Sequence, residues 1–474
     1  MKISCVKNKK DPIHFIGIGG IGMSAIAEVL IKCGYQVQGS DMSENANVQR
    51  LKSYGIKIFK GHEAGNVKDA KVLVRSTAIK DNNVEVREAE DIGIPVIHRS
   101  DMLAEIIKNK VGIAITGTHG KTSTTAMVTE LLETAKKDPT VINGGIINNY
   151  KNNAKVGSGD LMVIESDESD GTFAKYDAKI RIVTNLEPEH LDYYGNFENL
   201  KKCFDEYLAN SPKDGLVVLC AEDKVLMSMY GKYKSKSNFV TYGFTKSADV
   251  YAENMKQKRD GVYFDVVFNL SKKRIIKDVR LASYGKHNIL NFLAAIAVAD
   301  FLKIPDALIK QGVGNYNGVQ RRFTRVGVVD DILIIDDYAH HPTEIKVTVD
   351  TAKSIVKKGE KIIAVLQPHR YTRVADLFEE FSKCLKDVDV AILANIYAAG
   401  QVPIPGVNQD SLYEKMKCHK TKNLIKLIDE NELLYIINKI AKKGDVILFM
   451  GAGDITKWSR NIYDKLKVLR EYEV

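Results

Sequence analysis

Long apolar runs are missing from this 474-residue chain. The longest stretches, such as Phe292 to Ala299, fall well short of the ~20 residues that a membrane span requires. The opening Met1-Lys2-Ile3-Ser4-Cys5 has no apolar core of the kind a secretory signal carries, so a cytoplasmic protein with no membrane partner is expected. Cysteine is sparse: Cys5, Cys33, Cys203, Cys220, Cys384 and Cys418 are all there are, and none forms a CxxC pair. This excludes a disulfide framework or a zinc knuckle and points to free thiols in a reducing compartment. No basic block carries interleaved aromatics, so no nucleic-acid partner is expected. The net charge of +9, from 69 basic and 60 acidic residues, is scattered as single lysines over what reads as a solvated surface.

Apolar residues make up 45% of the chain, enough for large cores, and at roughly 100–200 residues per domain two to four domains are expected. Short apolar runs alternate with amphipathic stretches. Ile13–Ile18 reads as a buried strand, the stretch to Cys33 as a helix, and Gln36–Gln38, Lys71–Val74 and Val96–His98 as further strands. This βαβ rhythm predicts a parallel sheet with helices on both faces. It restarts at Val111–Thr116 and continues through Leu161–Glu165, Ile180–Asn185 and Leu216–Cys220. Tyr251 to Arg280 patterns as an antiparallel excursion, and Asn288 to Leu302 as a strong helix. A third restart at Ile332–Asp336 is followed by Ile362–Leu366, Val390–Leu393 and Val446–Met450. The expected fold class is therefore α/β with three domains: residues 1–109 and 319–474 Rossmann-like, and 110–318 P-loop-like between them.

Two glycine-rich turns sit between a strand and a helix. Gly17-Ile18-Gly19-Gly20-Ile21-Gly22 is GxGxxG, in which glycines let the backbone approach a pyrophosphate at a helix N-terminus. Asp41 follows where a ribose-binding acid would stand, and NAD would fit such a turn as well as any other pyrophosphate. The second turn, Thr116-Gly117-Thr118-His119-Gly120-Lys121-Thr122, lacks the first glycine of a full P-loop, because Ile115 stands in its place. Its N–H groups would cradle the phosphates of ATP, Lys121 would reach the terminal ones, and the Thr122 hydroxyl would hold Mg²⁺.

Acids gather after the apolar strand Leu161–Glu165: Glu165, Asp167, Glu168 and Asp170. A strand's C-terminal end is where a nucleotide-hydrolysing sheet carries a metal-binding acid. His190 follows the next strand to the same expected edge, which makes it a second metal candidate beside these acids. His119, His190, His287, His340, His341 and His369 all fall in motif-like segments, whereas His14, His62, His98 and His419 read as structural or solvated by default, with His62 near the first turn.

Taken in order, these segments resemble the Mur ligases of bacterial cell-wall synthesis, from Ile13 to Ile455. The loop at 116–122 looks like that family's ATP loop. Gly285-Lys286-His287-Asn288 with Asn291 resembles its adenine segment, and Gly318-Val319-Gln320-Arg321-Arg322-Phe323 its hinge into the third domain. Asp336-Asp337-Tyr338-Ala339-His340-His341-Pro342, Gln367-Pro368-His369-Arg370-Tyr371-Thr372-Arg373 and Tyr397-Ala398-Ala399-Gly400 resemble the members that add L-alanine.

The resemblance implies a ligase with UDP-N-acetylmuramate, L-alanine and ATP as substrates and Mg²⁺ as cofactor, acting as a monomer or homodimer. It implies ATP on Gly117, Thr118, His119, Gly120, Lys121, Thr122, Ser123, His287, Asn288, Asn291, Arg321 and Asp337. The UDP-sugar would lie on Gly17, Gly19, Gly20, Gly22, Asp41, His62 and Ser76. The amino acid would meet Tyr338, His340, Arg370 and Arg373, with Arg373 gripping its carboxylate. Lys121, Glu168, His190, Arg321, His340 and His369 would carry the chemistry. Three rivals stand beside this reading: another amide ligase of the same family, an NAD-linked dehydrogenase built on the GxGxxG turn, and a non-catalytic nucleotide-binding protein.

Overall fold

The computed structural model describes residues 4, 6, 8–235, 238–258, 261–270 and 272–472, so Cys5 and Met1–Ile3 lie outside it. Its strands form three sheets. In the first, β1 (Ile13–Ile16), β2 (Val37–Asp41), β3 (Lys57–Lys60), β4 (Val72–Arg75) and β5 (Val96–His98) stand in the order β3-β2-β1-β4-β5, all parallel. The four residues of β1 are fully buried, as a strand covered on both faces must be. The strand stops at Ile16, short of the expected Ile18, because Gly17 turns the chain at φ +70°.

The second sheet contains β6 (Val111–Thr116), β7 (Thr140–Ile147), β8 (Asn152–Lys155), β9 (Leu161–Glu165), β10 (Ile180–Val183), β11 (Leu216–Cys220), β12 (Phe239–Gly243), β13 (Val250–Lys258), β14 (Gly261–Phe268) and β15 (Arg274–Leu281). Their order is β15-β14-β13-β12-β11-β10-β6-β9-β7-β8. The central pairs are parallel, and β7–β8 is antiparallel. β13, β14 and β15 are successive neighbours at one edge, joined by short connections that only antiparallel strands allow. β10 ends at Val183 rather than at Asn185, because Thr184 and Asn185 turn their bonds to the phosphate loop.

The third sheet is made of β16 (Thr324–Val329), β17 (Ile332–Asp337), β18 (Ile362–Leu366), β19 (Val390–Leu393), β20 (Leu424–Lys426) and β21 (Val446–Met450), in the order β16-β17-β21-β18-β19-β20. Only β16 is antiparallel to its neighbour. Alternation along its strands divides the core into two layers. Ile362, Ala364 and Leu366 of β18 pack on one face, Ile363 and Val365 on the other.

The chain forms two compact units. One runs to Met255 and takes in Tyr263–Leu281 and His287–Asn317; the other takes in Lys256–Val262, Ala282–Lys286 and the chain from Gly318 onward. A single apolar cluster joins the first two sheets inside the first unit, from Ile13 and Ile26 through Ala114 to Met162. Among the described residues no helix is long and apolar enough to cross a membrane. The described cysteines Cys33, Cys203, Cys220, Cys384 and Cys418 are all free thiols. His14, structural by default in the sequence, is fully buried with its Nε2 3.2 Å from Glu85.

Candidate functional site

Three adjacent strands of the second sheet, β10, β6 and β9, deliver one edge of chemistry in the first unit. β6 runs into the Thr116–Thr122 loop, which opens the helix Lys121–Thr134. Gly117 needs to be glycine twice over: its φ is +120°, and an added Cβ would lie 2.4 Å from the Thr184 hydroxyl. The loop is held from β10. The Asn185 side chain accepts from the His119 N–H at 2.8 Å and donates to the His119 carbonyl at 3.0 Å, and the Thr184 hydroxyl donates to that carbonyl at 2.6 Å. Asn185 and Thr184 escaped the sequence reading because their task is visible only once β6 and β10 are known to be neighbours. Asn291, on the helix Lys286–Phe301, reaches the same loop, its Oδ1 2.7 Å from where a Cβ on Gly120 would stand. His287 and Asn288 start that helix, half-buried and buried respectively, and Ser123 is buried one residue beyond Thr122.

Lys121 folds back over its own loop. Its ammonium donates to the carbonyls of Gly117 (2.7 Å) and Thr118 (3.0 Å) and pairs with Glu168 at 2.8 Å. Burial alone would lower its pKa, but the charges of Glu168, Asp167 and Glu165 outweigh it and raise the value. Glu168 is 1% exposed and also faces His190, whose Nε2 lies 3.4 Å away. Burial would lower the His190 imidazole, whereas Glu168, Glu189 and Asp167 raise it to a net upward shift.

Asp167, Glu168 and His190 each bring a ligand atom within 4.8 Å of the others. Two carboxylates and an imidazole nitrogen are a donor set that fits a divalent cation, and the carboxylates are of the kind Mg²⁺ prefers. Of the expected metal residues, Glu168 and His190 meet in this cluster with Asp167 beside them, and the Thr122 hydroxyl donates to the neighbouring Glu165 Oε1 at 2.9 Å. Glu165 also accepts from the Gly144 N–H at 2.6 Å.

The GxGxxG turn joins β1 to the helix Ile21–Lys32. The Gly19 N–H donates to Asp41 Oδ2 at 2.8 Å, and its carbonyl accepts from Asn45 (3.2 Å) and Asn47 (2.9 Å). Asp41 Oδ1 accepts from the Ser43 N–H at 2.9 Å and from the Ser43 hydroxyl. Asp41, expected at a ribose, thus braces the turn through Oδ2 and its own connection through Oδ1. Gly20 closes the turn by donating its N–H to the Gly17 carbonyl at 3.1 Å, and Gly22 faces Arg99. His62 Nδ1 lies 2.8 Å from the Asn83 amide nitrogen, and Ser76, half-buried, follows β4.

A Cβ on Gly19 would meet Val48, Asn45 and Asp41 at 2.7–2.8 Å. Gly19→Val therefore acts first on the protein's own turn: we expect a lower Tm together with weaker binding of any pyrophosphate ligand the turn takes. A calorimetric titration beside a thermal scan checks this, and an unchanged Tm would contradict the packing argument.

In the second unit the neighbours β17, β21, β18 and β19 deliver a second edge. Asp337 ends β17 buried, accepting from the Phe323 N–H (2.8 Å) and the Ala339 N–H (2.7 Å), and burial pushes its carboxyl up to about 6. Arg321, in the left-handed region at φ +62°, donates to the carbonyls of Gly451 (2.6 Å) and Gly453 (3.1 Å) after β21, and its guanidinium lies 4.6 Å from the Tyr338 ring centroid. His340 Nδ1 lies 2.9 Å from the Tyr338 carbonyl, which can only accept, so Nδ1 carries the proton and Nε2 keeps its lone pair. His369 stacks on Tyr397, centroids 5.5 Å apart, and its ring centroid lies 6.1 Å from that of His340. Arg370, exposed and at φ +69°, donates its N–H to the Tyr397 carbonyl at 2.9 Å and leads into the short helix Tyr371–Asp376, which carries Arg373.

Burial first, then the charges of His340, Arg373 and Arg370, push the His369 imidazole down to about 4. His340 is lowered as well, by burial and then by Arg373 against the pull of Glu344. Both rings are neutral at pH 7. Because His369 titrates lower in the folded chain than in the unfolded one, the stability it contributes is complete above about pH 6.5 and is lost as the pH falls toward 4. An NMR titration should place the His369 midpoint near 4, and Arg373→Met should raise it; a midpoint that ignores the substitution would remove Arg373 from this pocket.

A glycine-rich loop beside acid- and histidine-bearing strand ends in the first unit, and a cluster of histidines and arginines in the second, are the groups a nucleotide-dependent ligase uses. The Mur ligase family, catalytic domain model matches residues 12–111, the Mur ligase middle domain model residues 115–299, and the Mur ligase, glutamate ligase domain model residues 321–453. This chain belongs to the Mur ligase family.

Within that family it is 44% identical over 462 residues to the UDP-N-acetylmuramate–L-alanine ligase of Rhodospirillum rubrum, covering 97% of this chain and 95% of that one. It is 46% identical over 461 residues to the enzyme of the same name from Rhodopseudomonas palustris, covering 97% and 98%. The crystal structure of the Thermotoga maritima UDP-N-acetylmuramate–alanine ligase matches with a TM-score of 0.81 at 32% identity, over 97% of this chain and 99% of that one. A murein peptide ligase from Psychrobacter arcticus shares the fold, with a TM-score of 0.67 at 23% identity.

Proposed function

We propose that this chain joins L-alanine to the carboxylate of UDP-N-acetylmuramate in a reaction driven by ATP, giving UDP-N-acetylmuramoyl-L-alanine, ADP and phosphate, a step of peptidoglycan precursor synthesis in the cytoplasm. The observation that carries this reading is the Lys121–Glu168–His190 arrangement on a phosphate loop, in a chain 44–46% identical over nearly its whole length to ligases of that name. In this reading residues 1–109 take the UDP-sugar, 110–318 the ATP and 319–474 the amino acid.

A carboxylate is a poor electrophile, and phosphorylation gives it a leaving group. The muramyl carboxylate oxygen attacks the γ-phosphorus and ADP departs. The alanine amine attacks the resulting acyl phosphate, loses a proton, and phosphate departs. Lys121 neutralises charge on the transferring phosphoryl group and exchanges its Glu168 partner for phosphate oxygens. Asp167, Glu168 and His190 would hold Mg²⁺, which would supply further positive charge there. Thr122 orients Glu165 at the edge of that cluster.

Neutral His340 and His369 suit a pocket that must accept a proton as the amine attacks. Arg373 takes the amino-acid carboxylate, with Tyr338 and Arg370 beside it. Arg321, Asp337, His287, Asn288 and Asn291 stay assigned to ATP.

A phosphate-release assay with UDP-N-acetylmuramate, ATP and Mg²⁺ tests the whole. Release should require L-alanine and should fail with D-glutamate or an L-alanyl tripeptide. Release that follows the tripeptide instead would move this chain to a different member of the family.

A further inference from the structure

Arg99 opens the helix Arg99–Ile107 and stands between the GxGxxG turn and the acidic turn after β9. Its Nη1 lies 3.1 Å from where a Cβ on Gly22 would be, so the guanidinium rests directly against the last glycine of the first turn. Its Nη2 lies 3.7 Å from Asp167 Oδ2 and 3.8 Å from Asp170 Oδ2. Both separations exceed a hydrogen bond. The two acids differ in what else they hold. Asp170 is 9% exposed and already accepts from the hydroxyls of Thr77 (2.9 Å) and Thr172 and from the Thr172 N–H. Asp167 is 45% exposed, accepts among the described residues only the Ser169 N–H at 3.1 Å, and belongs to the trio with Glu168 and His190. A side chain three-quarters withdrawn from water thus offers its fork to two anionic stations without closing on either.

We infer that Arg99 couples the UDP-sugar site to the cation site: a pyrophosphate on the Gly17–Gly22 turn draws the guanidinium onto itself and frees Asp167 to ligate a divalent cation with Glu168 and His190. A pyrophosphate offers the fork two charge-assisted bonds that Asp167 does not make in its place. Withdrawing a positive charge from beside a carboxylate strengthens that carboxylate as a ligand. The coupling is reciprocal, so a cation on Asp167 in turn favours the pyrophosphate. The inference rests on the reading of the first turn as the UDP-sugar site.

The test uses the full chain without ATP, with Mn²⁺ as the probe followed by electron paramagnetic resonance, and with blank titrations for Mn²⁺ held by free ligand. Saturating UDP-N-acetylmuramate should tighten Mn²⁺ binding fivefold or more, within the roughly 5–150-fold range of such couplings. In Arg99→Gln, Mn²⁺ should bind more tightly than in the wild type before any ligand is added. The UDP-sugar should then change nothing further, and its own Kd should rise about tenfold with the loss of a charge-assisted bond.

Asp167→Asn removes one anion competing for Arg99 and should tighten UDP-sugar binding, an arm that stands even where Arg99→Gln fails to fold. UDP-sugar binding by calorimetry without any change in Mn²⁺ affinity overturns the coupling alone, as does coupling that survives in Arg99→Gln. No UDP-sugar binding by the wild-type chain overturns the substrate reading and the coupling with it.

Discussion

Lys121→Ala should cut kcat by about a thousandfold or more, the scale seen when a charge that meets the transferring phosphoryl group is removed. The same substitution also touches stability. Glu168 is 1% exposed, and Lys121 at 2.8 Å is its nearest cation. Removing one member of a well-buried pair costs about 3–5 kcal/mol. Here the figure is smaller, on the order of 1–3 kcal/mol, because Lys121 keeps some contact with water and His190 remains 3.4 Å away as a second partner.

Activity loss in Lys121→Ala therefore comes mixed with a lower Tm. The double substitution Lys121→Met with Glu168→Gln separates the two. It removes both charges, so Tm should recover toward the wild-type value while turnover stays lost. Recovery of turnover along with Tm would show that Lys121 only supports the loop, and the ATP assignment would fail with it.

Arg373→Ala should raise the KM for L-alanine by about a hundredfold, which is roughly 3 kcal/mol for a bidentate charge-assisted grip on a carboxylate. L-Alanine offers only a carboxylate, an amine and a methyl, and the methyl discriminates by about 1–3 kcal/mol at most. The carboxylate is thus the handle on which affinity depends. Arg373→Lys keeps the charge but loses the planar fork, so it should fall between wild type and Arg373→Ala. The KM values for ATP and for UDP-N-acetylmuramate should move little, because the proposed reading gives Arg373 no contact with either. Steady-state kinetics with each substrate varied in turn distinguishes the cases. An unchanged KM for L-alanine would leave Arg373 only its electrostatic effect on His340 and His369.

Local features of the site were legible because backbone geometry restricts which residues can perform them. The Thr116–Thr122 segment announces its own turn, since glycines take up the positive φ of +120° and +84° that the tight strand-to-helix connection requires. The strands Val111–Thr116, Leu161–Glu165 and Val446–Met450 were equally plain, since strands buried on both faces must be continuously apolar. Asp41 was read as a ribose ligand from its spacing alone, yet in the fold its carboxylate oxygens accept bonds from Gly19 and Ser43. Spacing places an acid at a strand end but says nothing of which donor it meets there.

The sequence by itself determined the element types, the two phosphate turns and the chemistry of the groups at the strand ends, because each depends on residues within a few positions of one another. Which of those groups meet was decided only by the tertiary structure. The order β10-β6-β9 sets Asn185, Lys121 and Glu168 side by side, although 64 positions separate Lys121 from Asn185. The same packing pairs Thr122 with Glu165 rather than Glu168, seats Asp167 beside Glu168 and His190, and brings Arg99 from the first sheet's last connection to the edge of that trio. Side-chain partners across a parallel sheet follow from strand order and register, and those are set by how whole apolar faces bury one another, a global balance that no local segment contains.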